Sequence, residues 1–222
     1  VYLSSGGPGS PFEGEGSTWE AKYFAWLDTL WTHEQKVEAP PKSVFLICHS
    51  FELAVRHFGV AHLEPRRSES FGIFPVHPNA AGKRDPVFAG LDDPFYAADF
   101  RSWQAVSPDR ARLKELGATV LAVEKERPHV PLERATMAIR FSPGLLGTQF
   151  HPEADPDGML LHFRQEHRRE DIVARHGRAK YARILHLISF PAFLSRTYAT
   201  VLPNFLRLSV ARLRGVDAGP EA

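Results

Sequence analysis

The chain has 222 residues, 43% hydrophobic and 24% charged, enough for one domain, or one domain with an appendage, whose core needs neither disulfide nor structural metal. A formal net charge of +1, with no basic block carrying interleaved aromatics, argues against nucleic acid as a partner. One cysteine excludes an internal disulfide and fits a reducing, cytoplasmic setting; the absence of any run of about 18 apolar residues argues against a membrane span.

Val1 to Leu3 runs directly into Ser5-Gly6-Gly7-Pro8-Gly9-Ser10, which reads as the end of a strand followed by a tight glycine turn. The opening residues have none of the charged and apolar regions of a signal peptide. A chain without an initiator Met is expected to be trimmed or a fragment. Thr18 to Glu34 places Trp19, Tyr23, Trp26, Leu27, Leu30 and Trp31 at spacings of three and four, an amphipathic helix. After the breaker Pro40-Pro41, Ser43 to Cys48 is wholly apolar beyond its first residue, as a strand buried on both faces would be. His49 to Phe58 then turns helical, so the cysteine sits between strand and helix.

From Leu63 to about Ala135, short apolar runs at Ser70–Val76 and Ala118–Val123 predict strands separated by loops. Met137–Phe141 and Leu145–Phe150 predict two adjacent strands joined by Ser142-Pro143-Gly144. Helices are predicted over Gly158–Arg169, Arg169–His176 and Ala179–Ile188, then over Ala192–Arg214 with an interruption near Pro203, ending in a loose tail from Asp217 to Ala222. Strands alternating with helices early and helices alone late predict an α/β fold: an open, mostly parallel sheet flanked by helices over residues 1–165, with a C-terminal helical extension over 166–222 packed on it. Ligand sites in such sheets lie beyond the C-terminal strand ends. Gly6-Gly7, Cys48 and His151 each follow a predicted strand.

Those segments can perform one chemistry. A cysteine attacks as the thiolate and needs a base or a positive dipole beside it. A helix start at Cys48 supplies the dipole, and His151 the imidazole. Glu153, two residues along an extended segment, projects on the same side as His151 and can orient and stabilise its ring. Attack on a carboxamide creates an oxyanion that requires preset N–H donors; Gly6 and Gly7 keep their amides accessible, and the His49 amide at the helix start is a second donor. Taken singly, each feature is unremarkable: a buried small hydrophobe, a plain turn, an uninformative tripeptide. Their order along the chain and their shared place at strand ends make them a candidate site.

Two of these segments carry a resemblance. Ser5-Gly6-Gly7-Pro8-Gly9-Ser10 resembles the oxyanion loop of class I glutamine amidotransferases, and Gly147-Thr148-Gln149-Phe150-His151-Pro152-Glu153 is similar to their G-x-Q-F-H-P-E signature. The similarity covers roughly residues 1 to 165 and is nearest to the amidotransferase domain of GMP synthases. It implies a flavodoxin-like sheet, no cofactor, and Cys48 attacking a glutamine side-chain amide. Ammonia would then leave and water would hydrolyse the glutamyl thioester, with the Gly7 and His49 amides as the oxyanion hole. It also implies a Gln at position 52 that helps hold the substrate.

The chain departs from that pattern. Around the nucleophile it reads Leu46-Ile47-Cys48-His49-Ser50-Phe51-Glu52 instead of G-x-C-x-G-x-Q, so Leu46 asks for a rearranged elbow and Glu52 changes the substrate contact. Where relatives carry a His-x-Asp segment, the chain has Arg101-Ser102-Trp103; Arg101 either grips a substrate carboxylate or is a surface residue. About one β-α-β unit that relatives place before the oxyanion loop is expected to be missing, or the sheet edge differently built. Two further readings stand beside the glutaminase: a γ-glutamyl peptidase, and a degenerate domain that binds without catalysis. Neither metal nor P-loop chemistry is expected. The 11 histidines form no H-E-x-x-H, His162 and His167 are spaced onto different faces of a helix, and no G-x-x-x-x-G-K-[ST] occurs. With no synthase domain in the chain, an ammonia acceptor would be a separate synthase subunit or water; the apolar late helices pack on the core or pair two copies.

Overall fold

The computed structural model describes residues 1–36 and 39–216; the predicted tail, Asp217 to Ala222, lies outside the described residues. Side-chain alternation in one short strand shows how the layers form. All four residues of β2 (Val44–Ile47) are buried. Val44 and Leu46 pack with Leu27 and Leu30 of α1 (Thr18–Glu34) and with Phe51 and Phe58 of α2 (His49–Phe58). Phe45 and Ile47 face the opposite layer, where the Phe45 ring meets Phe205 of α7 (Leu194–Arg214) edge-on at 5.0 Å.

The sheet is completed by β1 (Tyr2–Ser4), β3 (His62–Pro78), β4 (Phe95–Val106), β5 (Thr119–Glu124), β6 (Thr136–Ser142) and β7 (Leu145–Thr148), in the order β1-β2-β7-β6-β5-β3-β4. The fold class is α/β, with helices on both faces, but the sheet is mixed where a mostly parallel one was predicted. Only β1, β2 and β7 run parallel; the other four pairings are antiparallel. The physical reason is connection length. Parallel neighbours need a crossover of a dozen or more residues, and the turn Ser142-Pro143-Gly144 between β6 and β7 is too short to provide one.

β4 is the strand the sequence concealed. Asp99, Arg101, Ser102 and Gln104 interrupt its apolar pattern and read as loop, yet Asp99, Arg101 and Gln104 are buried. They are tolerated because they satisfy one another and β3. The Arg101 Nε donates to Asp99 Oδ1 at 2.8 Å, Ser70 Oγ donates to Asp99 Oδ2 at 2.6 Å, and Gln104 Nε2 donates to Glu64 Oε1 at 2.7 Å.

Around the sheet lie α3 (Arg110–Leu116), α4 (Pro156–Arg164), α5 (Glu166–His176) and α6 (Arg178–Ser189). The single helix expected over Gly158–Arg169 breaks at Gln165, whose ψ of 134° is extended; the Tyr181 hydroxyl satisfies the Phe163 carbonyl at 3.1 Å in the last turn of α4. α7, by contrast, runs unbroken through Pro203. Val201 and Phe205, flanking the proline, are buried in the core, and Asn204 donates to the Val87 and Ala89 carbonyls at 3.2 and 3.0 Å. Those contacts hold the helix against the lost N–H. Gly72, with φ of 142°, brings α6 close to β3: a Cβ there would lie 3.3 Å from Ile184 Cγ1.

Candidate active site

Cys48 follows β2 and precedes α2 with φ of 52° and ψ of −108°, a conformation a side chain resists and which aims it out of the turn. The residue is 6% exposed. Leu46 does not disturb this elbow. In the parallel register Leu46 sits opposite Gly147, where a Cβ would come within 2.7 Å of Phe51 Cδ2. Ser50 fastens the elbow to the glycine loop, its hydroxyl donating to the Ser5 carbonyl at 2.6 Å and lying 2.8 Å from Ser4 Oγ. His49 is the first residue of α2, and the first amides of a helix have no carbonyl partner within it.

His151 is held from β4: its amide donates to the Ala98 carbonyl at 2.9 Å. Its Nδ1 lies 2.7 Å from Glu153 Oε1, and the ring stands beside Cys48 across Gly6, while the thiol itself lies 3.9 Å from the Phe100 carbonyl. Burial by itself would drive the proton off this ring. The neighbouring Cys48 and the hydrogen-bonded Glu153 outweigh it and push the His151 pKa up to about 10. Gly6 packs into the angle between ring and cysteine: a Cβ there would lie 3.1 Å from Cys48 Cβ and 3.2 Å from His151 Cε1. Gly6→Ala is therefore expected to separate ring from sulfur and slow alkylation of Cys48 by roughly 10²-fold, with an unchanged circular dichroism spectrum; an unchanged alkylation rate would mean that the ring does not activate the thiol.

Two side chains beneath the sulfur had no role assigned, or a different one, in the sequence. Gln149 is wholly buried, its Nε2 2.9 Å from Glu52 Oε1 and 3.9 Å from Cys48 Sγ. The signal was its place in the G-x-Q-F-H-P-E stretch, two residues before His151 on the same side of an extended segment. Glu52 is 3% exposed. Burial pushes its carboxyl up to about 7, with the Gln149 hydrogen bond and the Arg101 guanidinium pulling it the other way. Arg101 is no surface residue: its side chain is 1% exposed. Its guanidinium is taken up by Asp99, the Trp103 carbonyl at 3.0 Å, and Glu124 at 3.5 Å.

These residues meet in a cleft of about 710 Å³. Gly7, Cys48, Glu52, Arg101, His151 and Glu153 form one part of its lining, and Phe71, Phe100, Trp103, Met159 and Phe163 supply an apolar wall. His49 lies behind the cysteine, its ring Nε2 3.3 Å from the Ser10 carbonyl. His162 lines the same cleft, on α4, while His167 belongs to the separate α5. Among the described residues no cluster of three His, Cys, Asp or Glu is placed to hold a metal, and no helix is long and apolar enough to cross a membrane.

The sequence matches no family model and no curated protein. Solved structures do match. A glutamine amidotransferase from Thermotoga maritima aligns over 95% of this chain and 77% of its own, at 16% identity and a TM-score of 0.63. A glutamine amido transferase from Methylobacillus flagellatus aligns over 98% and 78%, at 12% identity and 0.56. The glutaminase domain of Trypanosoma brucei CTPS, solved with bound acivicin, aligns over 98% and 72%, at 13% identity and 0.54. The chain has the class I glutamine amidotransferase-like fold.

Proposed function

We propose that the protein is a cysteine-dependent amide hydrolase of the glutaminase type, releasing ammonia from a glutamine side-chain amide through a thioester on Cys48. The observation that carries this reading is the strained cysteine at a helix start, beside a histidine that a carboxylate orients. The sulfur adds to the amide carbon, and the resulting oxyanion faces the Gly7 and His49 amides. His151 gives its proton to the departing nitrogen, leaving ammonia and a glutamyl thioester. It then takes a proton from water, which attacks the thioester carbon and frees glutamate and the Cys48 sulfur. Glu153 holds the ring in register throughout. Glu52 and Gln149 form the floor under the amide, and Arg101 stiffens the wall. A degenerate, non-catalytic domain would have no reason to retain backbone strain at Cys48.

A second substrate reading has its own support. A cleft of about 710 Å³ is of the size that encloses a drug-sized ligand, and the one arginine in its lining is already engaged. That favours γ-glutamyl amides, whose amine portion would lie along the apolar wall. In either case the acceptor of the released nitrogen is water or a synthase on another polypeptide, with a second copy of the chain as the other expected partner and the cytoplasm as the expected setting. The test is ammonia release from glutamine run beside glutamate release from γ-glutamyl dipeptides. Glutaminase activity at least tenfold above that on the dipeptides supports the first reading, the reverse the second. Turnover of neither, with no alkylation of Cys48 beyond a free-thiol control, would end the enzymatic case.

A further inference from the structure

Beside the active-site cleft, between β3, the end of β5 and α6, lies a second cavity of about 480 Å³. Its lining concentrates positive charge: Arg66, Lys125, Arg127, Lys180 and Arg183, against the single carboxylate of Glu69. In a chain of formal net charge +1 this asymmetry is local. Glu69 is paired with Arg175 at 3.3 Å. Behind the lining, Glu124 is shared by Arg66 at 2.8 Å, Arg127 at 3.2 Å and Arg101 at 3.5 Å. Among the described residues Lys125, Lys180 and Arg183 have no carboxylate within ion-pair distance.

Half-buried cations elsewhere in the fold are matched: Arg56 with Glu20, Arg140 with Asp85, Arg212 with Glu34. Lys125 is not. Its Nζ lies 3.4 Å above the Phe74 ring, and burial pulls its ammonium down to about 8 for want of a nearer counter-charge. Arg127 Nε is buried with no hydrogen-bond partner. Lys180 Nζ stands 5.7 Å from the Phe71 ring centroid. The rest of the wall is apolar, formed by Phe71, Phe74, Ile184 and Leu187. A concave, half-apolar surface with three uncompensated cations is built for a multiply charged anion with an apolar body.

We propose that this cavity binds a phosphate monoester of a small apolar or aromatic molecule. Phosphate oxygens would be received by Lys125, Lys180 and Arg183, and the ester body would lie on Phe71 and Ile184. The proposal is independent of the chemistry at Cys48.

The experiment is isothermal titration of the full chain with phenyl phosphate and, separately, with inorganic phosphate, in low-salt buffer. Saturable binding is expected, tighter for the ester by at least fivefold and weakening as salt is added. Lys125→Met, which keeps the stem over Phe74, and the pair Lys180→Glu with Arg183→Glu, on half-buried Lys180 and exposed Arg183, should each weaken it at least tenfold. Arg110→Glu with Lys114→Glu, on α3, should leave it unchanged. No saturable binding by the parent chain, or an equal loss in the α3 variant, would overturn the site. Equal affinity for the two probes would overturn the ester.

Discussion

Cys48→Ala is expected to abolish amide turnover, a fall on the order of 10⁴-fold or more, because the triad members act as a unit and little remains once the nucleophile is gone. The informative comparison is with Cys48→Gly. Both variants are inactive, but they differ in what the backbone feels. At φ of 52° and ψ of −108° any Cβ is crowded, and glycine alone occupies that region freely. Cys48→Gly should therefore be more stable than Cys48→Ala by about 1 kcal/mol, read from denaturant midpoints at equal slopes. At an ordinary helix start the difference would vanish or reverse. If the alanine variant proved the more stable, the elbow would hold no strain, and the argument that the conformation is kept for catalysis would fail with it.

Glu52→Gln should change how stability depends on pH. In the folded chain the Glu52 carboxyl is raised from 4.5 to about 7, chiefly by burial. Between those values the folded state holds a proton that the unfolded state has released. Stability from this group is therefore fully present below about pH 4.5 and is lost as pH rises through about 7. A shift of this size corresponds to on the order of 3 kcal/mol. Glutamine accepts the same hydrogen bond from Gln149 Nε2 without a charge to bury, so it avoids the loss. His151 also loses stability on the alkaline side, since its raised pKa favours the proton up to about 10. That contribution is common to both chains and cancels in the comparison. The variant should match the parent near pH 4 and exceed it at pH 8, by urea midpoints. A constant offset at both pH values would show that Glu52 is not the group being titrated. The substitution also restores the residue type that resemblance to the amidotransferases assigns to position 52, so KM for glutamine is expected to fall.

How much of this was legible differs from element to element. α1 and α2 occupy the predicted residues, Thr18–Glu34 and His49–Phe58, because their signals are local: apolar spacing at three and four, a Ser17 side chain capping the Glu20 amide, and a left-handed Gly59 closing α2. The β6–β7 hairpin was legible for the same reason, its turn residues marking both ends. β4 was not, since a strand that buries Asp99, Arg101 and Gln104 looks polar until its partners on β3 are known. Nor was the continuity of α7, where contacts to distant residues overcome the proline.

At the site the division follows the same physics. Residue type and order along the chain were enough to nominate Cys48, His151 and Glu153, because thiolate chemistry limits which side chains can serve; the expected extended segment is instead a turn at Pro152-Glu153, closed by the Ala154 amide on the His151 carbonyl at 3.3 Å, and Glu153 reaches the ring across it. That Cys48 and His151 sit side by side across Gly6 was decided by tertiary structure. So were the enclosure of Arg101, the pairing of Glu52 with Gln149, and the unmatched cations beside α6. Each depends on β4 and α6 being brought against segments far away in the chain, and burial and pairing, which set charge state and availability, exist only once those segments meet.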